Sequence, residues 1–489
     1  MRLKASLLVV LVVGLAVRTP LILQSDFPLH DGGLFHMMAH EIRDAGFGLP
    51  MTTAYNNAAI PFAYPPLGIY ALALGSQVID PLQLLRFLPL LYSVLAIVGV
   101  YVLTAVALSR RHALVASLVF ALTPQAFYWL IVGGGVTRGL GLVLALFTIA
   151  AAIRGCRDGG RLLIGAAGVL GGLTIVTHPE AAAFAAASTA VLCLVNREWR
   201  SRSIPLLAMA AIGLTISAAW WATIVHRHGL DVLTGASGSR QALVDSLQRV
   251  LELRLTGGPF PALDIPLFLG MIGIAVAAWR RRWLIPAWTL AVLVTPAAGA
   301  FYITVPWAAL GSLAVLEVVD RTTAGIASGR RLRLGGAVLF ALALVNVLLI
   351  PLDRSSPLVG IPRSDRSAMA AMETSGPPVA VLTNRPWWLE GPGEWFPALT
   401  GRSNAALAQG SEWLGSDTWN AQRLRHEGLQ QCGRSVGCIA EWMTNADVDT
   451  LFVSAVADLD VEEIESDGRF AVQSRFGETA VLHLTEPSD

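Results

Sequence analysis

Long apolar segments are the feature that most restricts how this chain can fold. A helix needs about 20 mainly apolar residues to cross the ~30 Å hydrocarbon core of a membrane. Of the 489 residues only 14% are charged, whereas about 25% is usual for a soluble domain, and the mean hydropathy is +0.59. The sequence therefore predicts an α-helical polytopic membrane protein. Its eleven predicted spans are 5–23, 87–108, 113–131, 139–153, 162–177, 181–195, 204–225, 265–279, 283–297, 303–319 and 334–351.

Basic residues in the short loops predict the orientation of these spans. We treat 65–79 as a surface-lying or re-entrant helix, and the first segment as a retained helix, because no convincing signal-peptide cleavage site follows it. The loops on the N-terminal side then carry seventeen cations, and the opposite short loops carry about three. Basic loops stay in the cytoplasm. We expect a multi-pass protein of the plasma (inner) membrane, with a cytoplasmic N-terminus and an exoplasmic C-terminal domain.

Charge and patterning divide the chain into two predicted domains. Residues 1–352 form the transmembrane domain, with exoplasmic loops 24–86 and 226–263. Residues 353–489 hold 20 of the 34 acidic residues, and their short β-rich runs alternate with polar helical stretches. This pattern predicts a small exoplasmic α/β domain whose last two strands form a hairpin near Gly477. Cys432 and Cys438 both lie there, and the sequence leaves open whether they form a disulfide.

Polar side chains gather on the exoplasmic face of the membrane domain. Six of the nine histidines fall in its exoplasmic loops, together with several acids. These residues either line an outward-facing cavity or simply meet water. The interiors of the spans carry almost no acid, whereas transporters driven by protons or ions generally need ionisable groups at the midplane. The pattern therefore favours an enzyme or a binding protein over a transporter.

Three motifs resemble the GT-C glycosyltransferases. They are "HDGGLF" in the first exoplasmic loop, "FAYPPLGIY" further along that loop, and the basic pair of "LSRRHAL" after the next span. This superfamily includes protein mannosyltransferases, lipid A aminoarabinose transferases and oligosaccharyltransferase catalytic subunits. The resemblance implies a sugar donor carried on a polyprenyl phosphate or diphosphate. It also implies that the acid of the first loop acts in catalysis or metal binding, and Asp31 is the residue here that matches.

A second resemblance begins at "NRPWWLEGPGEW". It is similar to the segment that opens the soluble domain of oligosaccharyltransferase catalytic subunits. The matching residues are Trp387, Trp388, Gly391, Arg402 and Thr418 to Asn420. Leu389 and Glu390 stand where that family has Asp-Tyr, so sequon recognition does not carry over. The acidic pair that the family places after its third helix is also missing, because the loop reads "GGGVTRG".

Sugar transfer from a lipid phosphate needs a base and groups that neutralise the leaving phosphate. Asp31 is the predicted catalytic base. The predicted phosphate-binding residues are Arg138, Arg240 and Tyr64. The two arginines are chosen because a guanidinium fork binds phosphate bidentately. A divalent ion, Mg or Mn, is a further option, with His178 and Glu180 as its predicted ligands. The predicted acceptor-binding residues are Trp387, Trp388 and Glu394.

The sequence as a whole predicts a membrane glycosyltransferase. Its expected partners are a polyprenyl-phosphate-linked sugar, membrane lipids, and a glycan, lipid or protein acceptor, with no nucleic acid. The alternatives are a non-catalytic membrane scaffold or binding protein of the same fold, and a transporter. The segment from Val225 to Asp264 is far longer than an ordinary helix connection, and its "TGASGS" predicts a hinge. We expect it to form either a mobile lid over the donor site or a helix that merely caps the bundle.

Overall fold

The computed structural model describes residues 2–194, 199–238, 265–295, 301–322, 341, 358–457 and 459–485. Helices dominate these ranges. In chain order, and within the described residues, the helices are α1 Arg2–Leu23, α2 Gly33–Asp44, α3 Leu67–Gly75, α4 Pro81–Ala107, α5 Arg110–Leu122, α6 Gly135–Asp158, α7 Arg161–Ile175, α8 Pro179–Leu194, α9 Trp199–His228, α10 Asp231–Gly238, α11 Ile265–Trp279, α12 Leu284–Leu293, α13 Thr304–Thr322, α14 Arg363–Ala371, α15 Gly391–Thr400, α16 Ser416–Gln431, α17 Val436–Ala446 and α18 Val461–Ser466.

The chain is an integral membrane protein. Among the described residues, four helical segments are long and apolar enough to cross a membrane. They are Ser6–Leu23 in α1, Pro81–Ala107 in α4, Gly135–Asp158 in α6 and Ser203–His228 in α9. Four shorter apolar helical segments lie in α7, α8, α11 and α12. Except for residue 341, the predicted span 334–351 lies outside the described residues, so the total of eleven spans stays a prediction.

Two predicted segments show how local residues set helix ends. The predicted span 113–131 is helical only as far as Leu122, where α5 ends. Pro124 disfavours the helical conformation at the residue before it, and Thr123 has φ −87° and ψ 112°. In segment 65–79, α3 has nine residues, which at 1.5 Å each cover about 14 Å. As predicted, α3 is too short to cross the membrane.

Several of the membrane helices share a large apolar core. Helix α6 lies against α4, α7 and α8, while α7 also packs on α9, and α11 on α13. The core includes Ile97, Phe120, Leu142 and Phe184. Arg18 of α1 is buried among these helices, where its guanidinium donates to Ser93 Oγ (2.8 Å) and to the Ala121 carbonyl (2.8 Å). These hydrogen bonds join α1 to α4 and α5.

The first long loop folds onto the C-terminal residues. Two short strands, β1 Thr52–Thr53 and β2 Ile60–Pro61, pair antiparallel. The turn between them carries Asn56 and Asn57, both with positive φ. Asn56 Oδ1 accepts from the Asn404 N–H (2.7 Å), and Asn57 donates to Ser403 Oγ (3.1 Å). This loop and the C-terminal part therefore share an interface.

The C-terminal part is a small mixed sheet surrounded by helices. Its strands are β3 Val379–Leu382, β4 Thr450–Val453, β5 Phe470–Phe476 and β6 Thr479–Leu484, in the order β3-β4-β6-β5. Strand β3 runs parallel to β4, and the other pairs are antiparallel. Gly477, with φ +61°, lies in the β5–β6 turn, so the predicted hairpin is confirmed. Cys432 and Cys438 form a disulfide.

Two predictions fall mainly outside the described residues. The predicted domain boundary at 352/353 lies in the undescribed range 342–357, so the division into two domains stays a prediction. Within the predicted lid, α10 packs on the C-terminal turn Ser411–Leu414. Residues 239–264 are outside the described ranges, and with them Arg240 and the rest of the lid.

Candidate active site

Asp31 lies where the first loop meets the loop that precedes α6. Its half-buried carboxylate accepts a hydrogen bond from the Gly134 N–H, with a distance of 2.6 Å from nitrogen to Oδ1. The neighbouring Gly133 N–H donates to the Leu29 carbonyl (3.0 Å). Gly134 is the N-cap residue of α6, and the positive end of a helix dipole stabilises a nearby carboxylate. The contact therefore orients the Asp31 carboxylate towards the start of α6.

This close approach requires glycine in the loop before α6. A Cβ built on Gly134 would lie 2.4 Å from Asp31 Oδ2, and one on Gly133 would lie 1.7 Å from the Asp31 carbonyl oxygen. Only a residue without a side chain lets two backbones approach so closely. The prediction from "GGGVTRG" singles out Arg138 and omits the glycines, although consecutive glycines indicate a turn or close contact.

Glu394 of α15 contacts the loop that carries Asp31. Its side chain is 3% exposed, and Oε1 accepts from the Gly32 N–H (3.2 Å). Burial raises the pKa of Glu394 well above its usual value, and the charge of Asp31 raises it further, while hydrogen bonds from the Gly32 and Leu34 N–H groups lower it. The structure thus brings a predicted acceptor residue from the C-terminal part into contact with the loop that carries the predicted base.

His30 precedes Asp31 and connects it to the tryptophan pair. Its Nε2 lies 3.0 Å from the Trp388 carbonyl oxygen, which can only accept, so Nε2 carries the proton. Burial lowers the pKa of His30, and the nearby charge of Asp31 opposes that shift. The sequence pattern groups His30 with the other loop histidines. It carries no signal for this particular contact, because Trp388 is 358 positions away.

Tyr64 and Arg138 flank the first turn of α6. The Tyr64 and Thr137 hydroxyl groups are hydrogen-bonded (3.2 Å). Arg138 donates to the Trp129 carbonyl (2.8 Å), and its guanidinium lies 5.4 Å from the centre of the Trp129 ring. Burial raises the pKa of Tyr64 to about 12. The Thr137 hydrogen bond and Arg138 oppose this shift, and the charges of Glu180 and Glu412 add to it. These side chains therefore share one electrostatic environment.

His178 and Glu180, the predicted metal ligands, lie at the start of α8. The imidazole is 6% exposed, and its Nδ1 is 3.2 Å from the Tyr302 hydroxyl oxygen. Within the described part of the chain, no three His, Cys, Asp or Glu side chains are grouped so that they could hold a metal ion. The described side chains therefore do not form a complete metal site here, and the metal stays a prediction.

The predicted acceptor tryptophans lie at the edge of the C-terminal part. Trp388 is 39% exposed, so its ring is available for contact. The Trp387 ring packs edge-on against Trp419, with 5.5 Å between ring centres. Trp419 belongs to the predicted Thr-Trp-Asn motif, whereas Arg402 lies elsewhere and donates to the Pro377 carbonyl (2.8 Å). The structure brings the two tryptophan motifs together and leaves Arg402 apart from them.

Several solved glycosyltransferase structures have a fold similar to that of this chain. The archaeal oligosaccharyltransferase AglB from Archaeoglobus fulgidus, solved with an inhibitory peptide and a dolichol-phosphate, has a TM-score of 0.55 at 17% identity, over 92% of this chain and 70% of AglB. ArnT from Cupriavidus metallidurans, in the apo state, has a TM-score of 0.52 at 16% identity, over 98% of this chain and 99% of ArnT. The mycobacterial arabinofuranosyltransferase AftD gives 0.52 at 16%, over 100% of this chain and 40% of AftD. The chain has the GT-C fold.

The sequence itself matches one family model. Residues 63–222 match the family described as dolichyl-phosphate-mannose-protein mannosyltransferase. The matched range includes Tyr64, Arg138, His178 and Glu180, while Asp31 and Glu394 lie outside it. No curated protein sequence gives a significant match. Together with the shared fold, the family match confirms the resemblance to GT-C glycosyltransferases.

Proposed function

We propose that this chain is a membrane glycosyltransferase that transfers a sugar from a polyprenyl-phosphate-linked donor to an acceptor on the exoplasmic side. Two comparisons support the donor class. The matching family is described by a dolichyl-phosphate-linked sugar, and one solved protein with this fold was captured with a dolichol-phosphate. The apolar membrane helices beside the site suit a donor with a long lipid tail.

The observation that carries this proposal is the position of Asp31. Its carboxylate lies between the start of α6 and the C-terminal part, held by the Gly134 N–H. Arg138 and Asp31 both act electrostatically on His30, so an anion-binding group and a base lie in the same neighbourhood. A base beside a cation is the arrangement that transfer from a phosphate-linked donor requires.

In the proposed reaction the acceptor oxygen attacks the anomeric carbon of the sugar. The bond from that carbon to the phosphate oxygen breaks, and its electron pair leaves with the polyprenyl phosphate. Asp31 takes the proton of the acceptor hydroxyl. Arg138 neutralises the charge that grows on the leaving phosphate, and Tyr64 donates a hydrogen bond to it. Arg240 is a further proposed phosphate ligand.

Trp387 and Trp388 are the proposed contacts for the acceptor. Flat aromatic faces pack well against the apolar faces of sugar rings, and the exposed Trp388 is linked through His30 to Asp31. The proposed location is the plasma (inner) membrane, with a cytoplasmic N-terminus and this site on the exoplasmic side.

Replacing Asp31 with Asn tests the proposal. The amide keeps the size of the side chain but cannot accept a proton, so transfer in a reconstituted assay with a polyprenyl-phosphate-linked sugar should fall at least ~10²-fold. Asp44→Asn is the matched control, since Asp44 is exposed at the end of α2, and it should leave transfer unchanged. Full transfer by Asp31→Asn would remove Asp31 as the base.

Absence of any polyprenyl phosphate in mass spectra of co-purified lipid would contradict the donor class.

A further inference from the structure

The helix that follows Asp31 has no cap of its own. Its N-cap residue is Gly32, at φ +132° and without a side chain that could accept from the first N–H groups. The first turn of a helix leaves such donors unpaired, and leaving them buried and unpaired is costly. The Glu394 carboxyl group accepts from Gly32 N (3.2 Å) and also from the Leu34 N–H. The cap of α2 is thus supplied by α15 of the C-terminal part.

Neighbouring contacts fix the backbone around this cap. The Trp395 indole N–H donates to the His30 carbonyl (3.1 Å), and the Tyr55 hydroxyl donates to the Glu394 carbonyl (2.6 Å). A Cβ on Gly33 would lie 2.6 Å from the Glu394 carbonyl oxygen. Contacts on both sides of Asp31 in sequence therefore run to residues 394 and 395.

The other side of the Asp31 loop is held by the membrane part. Gly133 and Gly134 contact the backbone and carboxylate of Asp31 respectively. The loop is therefore held from two sides, by the start of α6 and by the C-terminal part, where the buried Glu394 carboxyl group accepts from its backbone. Loss of that carboxyl group would weaken the contact with the C-terminal part, so the loop that carries Asp31 would be less rigid.

We propose that Glu394 is a positioning residue for the sugar transfer: by capping α2 from the C-terminal part, it fixes the loop that presents Asp31 to the reacting atoms. This inference rests on the proposed function for its kinetic consequence. Its structural consequence, the rigidity of residues 28–36, is independent of any activity. Docking of the C-terminal part thereby becomes a condition for catalysis.

Three substitutions separate the features of Glu394. Glu394→Gln keeps an acceptor oxygen at the same reach and should preserve the cap. Glu394→Ala removes it and leaves buried N–H groups unpaired. Glu394→Asp withdraws the carboxyl group by about 1.5 Å, roughly one bond, and serves if the Ala variant does not fold. Asp460→Ala is the matched control, because Asp460 caps α18 of the same part by accepting from Glu462 N (2.9 Å).

Hydrogen exchange measured by mass spectrometry on the full-length protein tests the structural consequence. Amides in peptides covering residues 28–36 should exchange at least about tenfold faster in Glu394→Ala or Glu394→Asp, since an uncapped helix start opens more often. Glu394→Gln and Asp460→Ala should match the unmodified protein in these peptides. Unchanged exchange in both the Ala and Asp variants would overturn the inference, whatever the protein catalyses.

Steady-state kinetics test the positioning role. We expect Glu394→Ala to lower kcat at least about tenfold with a nearly constant donor KM, and Glu394→Gln to restore kcat to within about threefold. In an Asp31→Asn background the Ala substitution should add less than about twofold, because it acts through Asp31. A full additional loss in that background would overturn the inference. If the unmodified protein transfers no sugar, the proposed function fails, while the exchange result still decides the role of Glu394.

Discussion

Tyr64 shows how burial sets the protonation state of one side chain in the candidate site. Its ring packs between Phe35 and Trp413, with ring-centre distances of 5.0 and 5.8 Å. Because burial raises the pKa of Tyr64 to about 12, the hydroxyl keeps its proton at every pH at which enzymes are usually assayed. A neutral phenol near Arg138 suits the role proposed for Tyr64, which is to donate a hydrogen bond to a phosphate oxygen.

Replacing Tyr64 with Phe should weaken donor binding without changing the pH profile. Loss of one hydrogen bond to a charged phosphate, about 1.5–3 kcal/mol, corresponds to a rise of about 10- to 150-fold in the donor KM. The profile from pH 6 to 9 should keep its shape, since Tyr64 ionises well above that range. Tyr70→Phe is the control, as it removes a comparable hydrogen bond to the Phe47 carbonyl (3.1 Å). An altered alkaline limb in Tyr64→Phe would show that this hydroxyl titrates during catalysis.

At the scale of elements, the start of α6 and the first loop form one unit. Gly134 is at once the N-cap of α6, the donor to Asp31 and a position where a side chain does not fit. Helix α2 completes this unit, since its first turn is capped from α15. The geometry of Asp31 thus depends on three elements that are distant in sequence.

Gly134→Ala should displace the Asp31 carboxylate. Its methyl group would lie 2.4 Å from Oδ2, so the side chain must rotate away, and we expect transfer to fall about 10²-fold, close to the loss in Asp31→Asn. Gly165→Ala in α7 is the control, because a Cβ there meets no atom within 4 Å. Measurement of kcat and donor KM on the purified variants tests whether displacing the Asp31 carboxylate slows transfer. Normal turnover in Gly134→Ala would show that Asp31 need not stay in this position.

At the scale of the whole molecule, the orientation in the membrane determines which side the site faces. The loop charges predict that residue 282 is cytoplasmic and the C-terminal part exoplasmic. A reporter fused after Arg282 should therefore be located in the cytoplasm. A reporter fused after Asp489 should be located on the exoplasmic side. Finding both reporters on the same side would contradict the predicted topology and the exoplasmic acceptor.

The sequence by itself determined the membrane class, the β5–β6 hairpin and the resemblance to GT-C glycosyltransferases. These features depend on local signals: long apolar segments, alternating residues around Gly477, and motifs such as "HDGGLF". The end of α5 was predicted too late because the apolar run continues past Pro124, although the rule for residues before proline applies there.

Only the tertiary structure decided how the candidate site is assembled. Gly32 and Glu394 are 362 positions apart, and no periodicity or motif couples residues at that distance. The disulfide between Cys432 and Cys438, left open by the sequence, likewise depended on where the end of α16 and the start of α17 meet. Local patterns specify which residues become helix, strand or turn. Packing of the loop from α1, the start of α6 and the C-terminal part specifies which buried acid caps α2, because that choice depends on contacts between elements.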